Sequence, residues 1–374
     1  MYMTNRCPIS RNLRFAAART WFTASGLLLT LTCFGNSQDQ SDMKVSAETK
    51  SQVISEVLQQ LKSKYVFPET AAEMERAVQG HVAAGDYTAI TSARQFAERL
   101  QSDLRVVSRD QHLEVSYSST LIPIQEANQQ EKIDPEREAR IRYKGGLVNY
   151  WFKNADVLAG NLGYLRFDGF FPLKDGGHDT ADAAMTFLQR TSALIIDLRA
   201  NGGGDPAVGE LLIGYLFDKQ VHFGDFLSRP DSSKTENWIS AHSLGPRYAG
   251  DVYILVSKDT ISAAEGFAYD LQSVRRAVVI GERTAGAAHP AFDYRVGEHF
   301  TLTIPTTRYV NAVTGTDWEG AGVIPDIATS KEQALATAEL IALTKLVREQ
   351  PDYPFIEERK RALGEAQKSV PKQN

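Results

Sequence analysis

The chain has 374 residues, of which 43% are hydrophobic, 23% charged and 9% aromatic, and its formal net charge is −5. This balance excludes a disordered chain, a collagen-like repeat and a multispan membrane protein. A net negative charge offers no general field for phosphate backbones, so a nucleic-acid partner is not expected. At about 150 residues per domain, the length predicts two domains behind a leader.

Residues 1–20 carry Arg6, Arg11, Arg14 and Arg19, and the first acidic residue is Asp39. An apolar run from Trp21 to Phe34 follows, then small or polar residues from Gly35. A positive start, a short apolar stretch and a small-residue exit describe a secretory signal peptide over 1–36. The run is shorter than the ~20 residues a spanning helix needs, so no integral span is expected once the leader is removed. The expected location is exported, periplasmic or extracellular, with anchorage through an uncleaved or lipidated leader as the alternative. Cys7 and Cys33, the two cysteines, both lie in this segment. A mature chain without thiols has no cysteine nucleophile, disulfide framework or cysteine-based zinc site. Its net charge deepens to about −9, because the leader holds four arginines and no acid.

From Asp42 to Leu113 the apolar period is helical. Val53, Ile54, Val57, Leu58, Leu61 and Tyr65 line one face. Phe67-Pro68-Glu69 interrupts that pattern, since proline starts or ends helices. Further helical stretches cover Ala71 to Ala84 and the apolar series Phe96, Leu100, Leu104, Val107. This predicts a three-helix domain over 43–117, ending in Asp110-Gln111-His112-Leu113. Residues 118–154 read as a connector, polar and without period from Gln125 to Arg142.

Strands then alternate with helices over 155–330. The strands are Leu162–Phe167, Ala193–Leu198, Val252–Val256 and Ala277–Gly281, with helical segments near 179–190, 206–217 and 262–274. Such alternation predicts an α/β layered domain with a largely parallel sheet. A hairpin-like region follows Phe300, and a C-terminal helix from about Lys331 to Arg348 precedes the tail, within 331–374.

Three places look unlike plain scaffold. Asp197-Leu198-Arg199-Ala200-Asn201-Gly202-Gly203-Gly204 runs from an apolar strand into three glycines and a helix start. Glycines there let backbone N–H groups face a cleft and cradle an oxyanion or phosphate; a plain glycine turn is the alternative. It is neither a Walker loop nor a dinucleotide fingerprint. Ser262 sits where a strand meets a helix, as an N-cap or as a nucleophile whose following N–H meets an oxyanion. Glu319, in Asp317-Trp318-Glu319-Gly320, is either a semi-buried acid that orients a histidine or a solvated loop acid. Of the seven histidines, His112 and His289 remain as partners for a serine, and the sequence alone does not choose between them. There is no HExxH and no close grouping of ligands, so neither a metal nor a cofactor is expected.

Together, Thr260-Ile261-Ser262-Ala263-Ala264-Glu265, Gly281-Glu282-Arg283-Thr284-Ala285-Gly286, the Asp197–Gly204 segment and Trp318–Asp326 resemble the S41 serine peptidases. That family includes C-terminal-processing (tail-specific) proteases, tricorn core peptidases and the interphotoreceptor retinoid-binding protein repeats. Tyr65-Val66-Phe67-Pro68-Glu69 and Asp110-Gln111-His112-Leu113 look like the N-terminal domain of the retinoid-binding-protein-like branch. The resemblance implies an α/β catalytic domain with a ClpP/crotonase-like layered ββα sheet, behind a small three-helix domain. It implies Ser262 as nucleophile, His112 as base, Glu319 as the acid behind it, and Gly203 and Ala263 as oxyanion-hole donors. The lysine base of the C-terminal-processing branch is replaced by Ala287; the histidine base is that of the tricorn-like branch, where a serine precedes it and here Gln111 stands. No PDZ domain is visible between the helical unit and the catalytic part. The implied partner is a peptide or protein substrate, with oligomeric state left open. The rival reading is a non-catalytic binder of apolar ligands such as a retinoid or fatty acid.

Overall fold

The structure is a computed structural model that describes residues 41–123, 135–172, 176–242 and 247–370. The expected signal peptide lies outside the described residues, as does part of the expected connector.

Three helices open the chain: α1 (Ala47–Lys64), α2 (Pro68–Ala84) and α3 (Ala93–Ser108). Their ends follow local chemistry. The Ser46 and Ser92 hydroxyls accept the Thr49 and Gln95 amides at 3.1 and 3.0 Å, which satisfies N–H groups a helix start leaves unpaired. Pro68 stands at the front of α2, and Gly85, at φ 77°, closes it. The helical faces read from the sequence (Val53, Val57, Leu61, Phe96, Leu100, Leu104) are fully or almost fully buried in one core.

The helices do not close that core alone. Val115, from strand β1 (Glu114–Tyr117), joins Val296, Phe300, Leu302 and Ile304 from some 180 residues downstream. The connector holds more structure than its polarity suggested, namely helix α4 (Pro135–Leu147) and the first three residues of strand β2 (Phe152–Leu158). All of Lys153 to Val157 is exposed, so β2 carries no buried period by which sequence could reveal it.

The α/β part follows as β3 (Leu162–Phe167), α5 (Gly177–Leu188), β4 (Ala193–Asp197), α6 (Pro206–Gly214), β5 (Val221–Ser228), β6 (Lys234–Ile239), β7 (Asp251–Val256), α7 (Ala263–Ser273) and β8 (Ala277–Gly281). Strands β9 (Ala291–Arg295), β10 (Phe300–Pro305), β11 (Thr307–Asn311) and β12 (Ile327–Ala328) precede helices α8 (Ala334–Glu349) and α9 (Ile356–Ser369). The main sheet has the order β12-β8-β7-β4-β3-β2, parallel except for the antiparallel β2–β3 pair. Smaller antiparallel sheets are β1-β10-β9 and β11-β5-β6.

Strand β4 shows why the sheet is layered. Leu194 and Ile196 enter the core with α5, α6 and α7, while Ala193 and Ile195 enter the one covered by α8 and α9, as a period of two requires. Helix α9 is too charged to be read from hydropathy. It is anchored by the buried Arg359, which donates to Ser192 Oγ at 2.5 Å and Gln350 Oε1 at 2.7 Å and lies over the Tyr353 ring.

At the carboxyl end of β8, Gly281 has φ 136°, and a Cβ there would collide with the Val256 carbonyl oxygen. We expect Gly281→Ala to destabilise the protein by at least ~2 kcal/mol, measured as a lower urea midpoint. An unchanged midpoint would mean that the β7–β8 edge can shift to admit a side chain.

Candidate active site

The parallel strands β4 and β7 deliver their following loops to the same end of the sheet, where α/β folds place ligands. After β4, Asn201 holds the glycine loop in place. Fully buried, its Nδ2 donates to Phe167 O at 2.9 Å, its Oδ1 accepts the Gly203 N–H at 2.9 Å, and its carbonyl accepts the Ile261 N–H at 3.2 Å. Ser257 Oγ and Thr260 Oγ1 donate back to Arg199 O and Leu198 O at 2.7 and 2.8 Å. The two loops are therefore stitched together before any substrate arrives.

Ser262 ends the second loop with φ 61° and ψ −126°. Non-glycine residues rarely occupy that region, which marks a constrained turn of the kind that exposes a nucleophile. Ala263 is the first residue of α7, where an N–H has no intrahelical acceptor and the helix dipole favours negative charge. Gly203 packs directly against this turn: a Cβ on it would lie 2.9 Å from Ser262 Cβ and 3.2 Å from the Ala263 nitrogen. Its amide, however, is committed to Asn201. That departs from the expectation of Gly203 as an open oxyanion donor, and the cause is local, since an Asn side chain readily bonds the amide two residues on. The Gly203 carbonyl accepts from Phe170 N–H at 2.8 Å, so the trans peptide turns the Gly204 N–H away from Phe170.

Glu265, fully buried, binds the nucleophile turn to the next loop. Its carboxylate accepts from Ser262 N–H at 2.8 Å, Thr284 Oγ1 at 2.5 Å, Gly286 N–H at 2.7 Å and Ala287 N–H at 2.9 Å. Burial pushes this carboxyl above its ordinary range, against the pull of the four donors. Ala287, at the place of the missing lysine, is thereby a backbone strut. One residue on, Ala288 N–H donates to Glu319 Oε2 at 2.6 Å, and Trp318 Nε1 donates to Ala287 O at 3.1 Å.

Glu319 and His112 meet, although 207 residues separate them in sequence. Ligand-type atoms of Asp110, His112 and Glu319 lie within 4.8 Å of one another. His112 is presented by a turn that Arg105 braces, donating to Gln111 O and Leu113 O at 2.8 and 2.7 Å. The His112 amide donates to Asp110 Oδ1 at 3.0 Å. Its Nδ1 is buried without a hydrogen-bond partner, as is Glu319 Oε1. Among the described residues Ser262 Oγ makes no hydrogen bond to an imidazole; the turn reaches the His112–Glu319 pair through Glu265, Ala287 and Ala288.

His289 occupies the same cluster, as do Asp110 and Asp317, and none of these three was assigned a role from sequence. His289 Nδ1 lies 3.4 Å from Glu319 Oε2 and 3.7 Å from Asp110 Oδ2, and its Nε2 lies 3.6 Å from Asp317 Oδ2. The available signals were its place two residues beyond the vacant lysine position and the acids flanking His112 and Trp318. The Tyr65–Glu69 segment also belongs here: Tyr65 Oη donates to Asp110 Oδ2 at 3.1 Å, and Phe67 meets the His289 ring edge-on at 5.3 Å.

The two imidazoles are driven apart. Burial holds His112 below its ordinary value, and the neighbouring His289 adds to this against Asp110. Burial also opposes charge on His289, but Asp110, Asp317 and Glu319 overcome it and push the ring to about 9. Burial and Asp110 push Glu319 up to about 7, against the pull of His289. Asp317, despite burial, is held low by His289 and Arg308. The Asp110–His112–Glu319 grouping is poorly suited to a metal ion, because Asp110 already accepts on both oxygens and the His289 ring, whose charged form its neighbours favour, lies 3.7 and 3.4 Å from two of the would-be ligands.

Glu265→Gln replaces one acceptor with a donor amid four N–H and O–H groups. We expect a loss of ~1–3 kcal/mol in urea unfolding. Wild-type stability in that variant would mean that the 284–287 loop stands without it.

Comparison with known proteins accords with this geometry. Residues 161–329 match the profile of peptidase family S41, and residues 43–158 match the N-terminal domain of Peptidase_S41 in eukaryotic IRBP. A chloroplastic C-terminal processing peptidase of Tetradesmus obliquus is 30% identical over 177 residues, covering 46% of this chain and 36% of that protein. A carboxy-terminal-processing protease of Bartonella bacilliformis is 26% identical over 181 residues, covering 46% and 39%. These matches thus span little more than a third of either relative. Mature CPAF shares the fold with a TM-score of 0.55 at 13% identity, covering 80% of this chain and 98% of that one. A lipoprotein from Streptococcus agalactiae does so with a TM-score of 0.54 at 12% identity, covering 82% and 100%. With both of its parts matched to profiles of one family, the chain belongs to peptidase family S41.

Proposed function

We propose that the protein is a serine peptidase that hydrolyses peptide bonds through an acyl-enzyme on Ser262. The observation that carries this is a strained serine at a helix N-terminus, linked by a two-residue strut to a half-buried carboxylate that lies beside a histidine whose burial disfavours charge. His112 accepts the Ser262 proton as Oγ attacks the scissile carbonyl. Glu319 stabilises the imidazolium that forms. The developing oxyanion is met by the Ala263 N–H. The second donor is the Gly204 N–H, turned away from Phe170, or the Gly203 N–H if substrate draws it from Asn201. His112 then returns the proton to the leaving amine, the C–N bond breaks, and water hydrolyses the ester by the same path in reverse. The reading needs no lysine, in keeping with Ala287 at that place.

The substrate class is a peptide or protein, as the relatives' names indicate for those proteins. The arginine-bearing, apolar leader in the sequence supports export, and among the described residues no helix is long and apolar enough to cross a membrane. The rival reading, carriage of an apolar ligand, would need an enclosed apolar space. The cavity lined by Phe226, Phe292 and Tyr294 holds about 220 Å³ and is open, below the ~300 Å³ at which small-molecule pockets begin.

A fluorophosphonate probe should label the wild-type chain on Ser262, and Ser262→Ala should abolish both labelling and casein hydrolysis without lowering the unfolding midpoint. His112→Ala should slow both by ~10²–10⁴-fold. Retained hydrolysis in Ser262→Ala would remove the serine from the mechanism, and unaltered rates in His112→Ala would remove the base.

A further inference from the structure

We infer that His289 is a positioning residue acting as an imidazolium, whose two ring nitrogens lie at ion-pair distance from carboxylates on opposite sides and whose charge favours the ionised form of Glu319 beside His112. The inference rests on the proposed catalytic reading for its consequence, but not for its geometry.

A neutral imidazole has one donor and one acceptor nitrogen. Here Nδ1 lies 3.4 and 3.7 Å from Glu319 Oε2 and Asp110 Oδ2, and Nε2 lies 3.6 Å from Asp317 Oδ2, ion-pair distances at which neither nitrogen makes a hydrogen bond. In either neutral tautomer one lone pair would lie beside a carboxylate oxygen. Only the doubly protonated ring presents a donor on each side. The ring is fully buried and sealed at one edge by Phe67, so solvent cannot supply the missing charge.

The groups around it come from every neighbouring element. Asp110 and His112 follow α3, and Tyr65 reaches Asp110 from the end of α1. Asp317 and Glu319 lie in the loop before β12, and Arg308 approaches Asp317 from β11 at 3.4 Å. Arg308 leans on Asp317 alone among these acids. With a neutral group in place of His289, Asp110 and Glu319 would face each other, buried, without a cation, and Glu319 would hold its proton to higher pH. A protonated Glu319 cannot stabilise the charge that forms on His112. His289 thus acts through Glu319 and touches neither substrate nor serine. The sequence left His289 as an alternative to His112, and the three carboxylates around it give it a different part.

Two measurements test this. In wild-type protein with ¹⁵N-labelled histidine, both His289 nitrogens should carry the imidazolium signature at pH 7.5 and lose it only toward pH 9. A neutral ring at pH 7 overturns the inference. The second is the pH profile of fluorophosphonate labelling in His289→Gln. Its acidic limb should move up by about one pH unit, giving ~10-fold slower labelling near pH 6.5 and rates close to wild type near pH 9. His289→Lys, which restores the cation, should return the limb toward its wild-type place. Equal slowing at every pH in His289→Gln would mark a merely structural role and overturn the inference. Should the wild-type chain not label at all, the catalytic reading fails, while the NMR result still decides the state of His289.

Discussion

The carboxylate of Glu265 is the point on which the arrangement rests. Two of its acceptor sites hold the amides of Gly286 and Ala287, one the Thr284 hydroxyl, and one the amide of Ser262 itself. A positive φ at a serine costs energy, and such a turn persists only where its surroundings over-determine it. Glu265 does so from within the helix that the serine caps. It also fixes the start of the segment whose next two amides seat Glu319. The Ser262 turn and Glu319 are therefore held by one continuous run of backbone rather than by two independent loops.

The same run explains how the helical unit and the α/β layers meet. Beyond His289 the chain enters β9 and β10, which pair with β1 and place Val296, Phe300, Leu302 and Ile304 in the helical core. Burial of those side chains, each worth about 1.5–3 kcal/mol, presses the α3–β1 turn with Asp110 and His112 against the His289 end of the hairpin. His112 reaches the α/β part because the hairpin completes the helical core, and not because two finished domains swing together.

Much of this was legible in the sequence where a local period or cap declares itself. Strands β3, β4, β7 and β8 show apolar runs, α1 and α3 show a repeating face, and Ser262 stands at a strand-to-helix junction. What was not legible is long-range or charged. Strand β2 is exposed along its middle and offers no alternation. Helix α9 is held by an arginine that looks like a surface residue until Ser192 and Gln350 are seen around it. Gly203 was read as a donor because its position is right, but the amide is already used by Asn201. His289 was one of two imidazoles that no spacing could tell apart. Its three carboxylates come from positions 110, 317 and 319, and only the β1–β10 pairing brings the first of these to the others.

The two histidines illustrate how a fold assigns roles to identical side chains. An imidazole serves as a general base only if neutral at working pH, and it serves as a counter-ion only if charged. Both rings are removed from water here, which alone would make both neutral. No hydrogen bond reaches either nitrogen of His289 or Nδ1 of His112, so the difference is the count of carboxylates at ion-pair distance: His289 has three within 3.7 Å, whereas His112 sits at longer range from Asp110 and Glu319. The charge on His289 then helps to keep His112 neutral, since a second cation a few ångströms away is unfavourable. The carboxylates around His289 thus bias both rings, favouring the proton there and, through its charge, disfavouring one on His112. Moving that proton to His112 would leave Asp317 with Arg308 as its one cationic neighbour among the described residues, so the carboxylates that favour charge on His289 also oppose its transfer to His112.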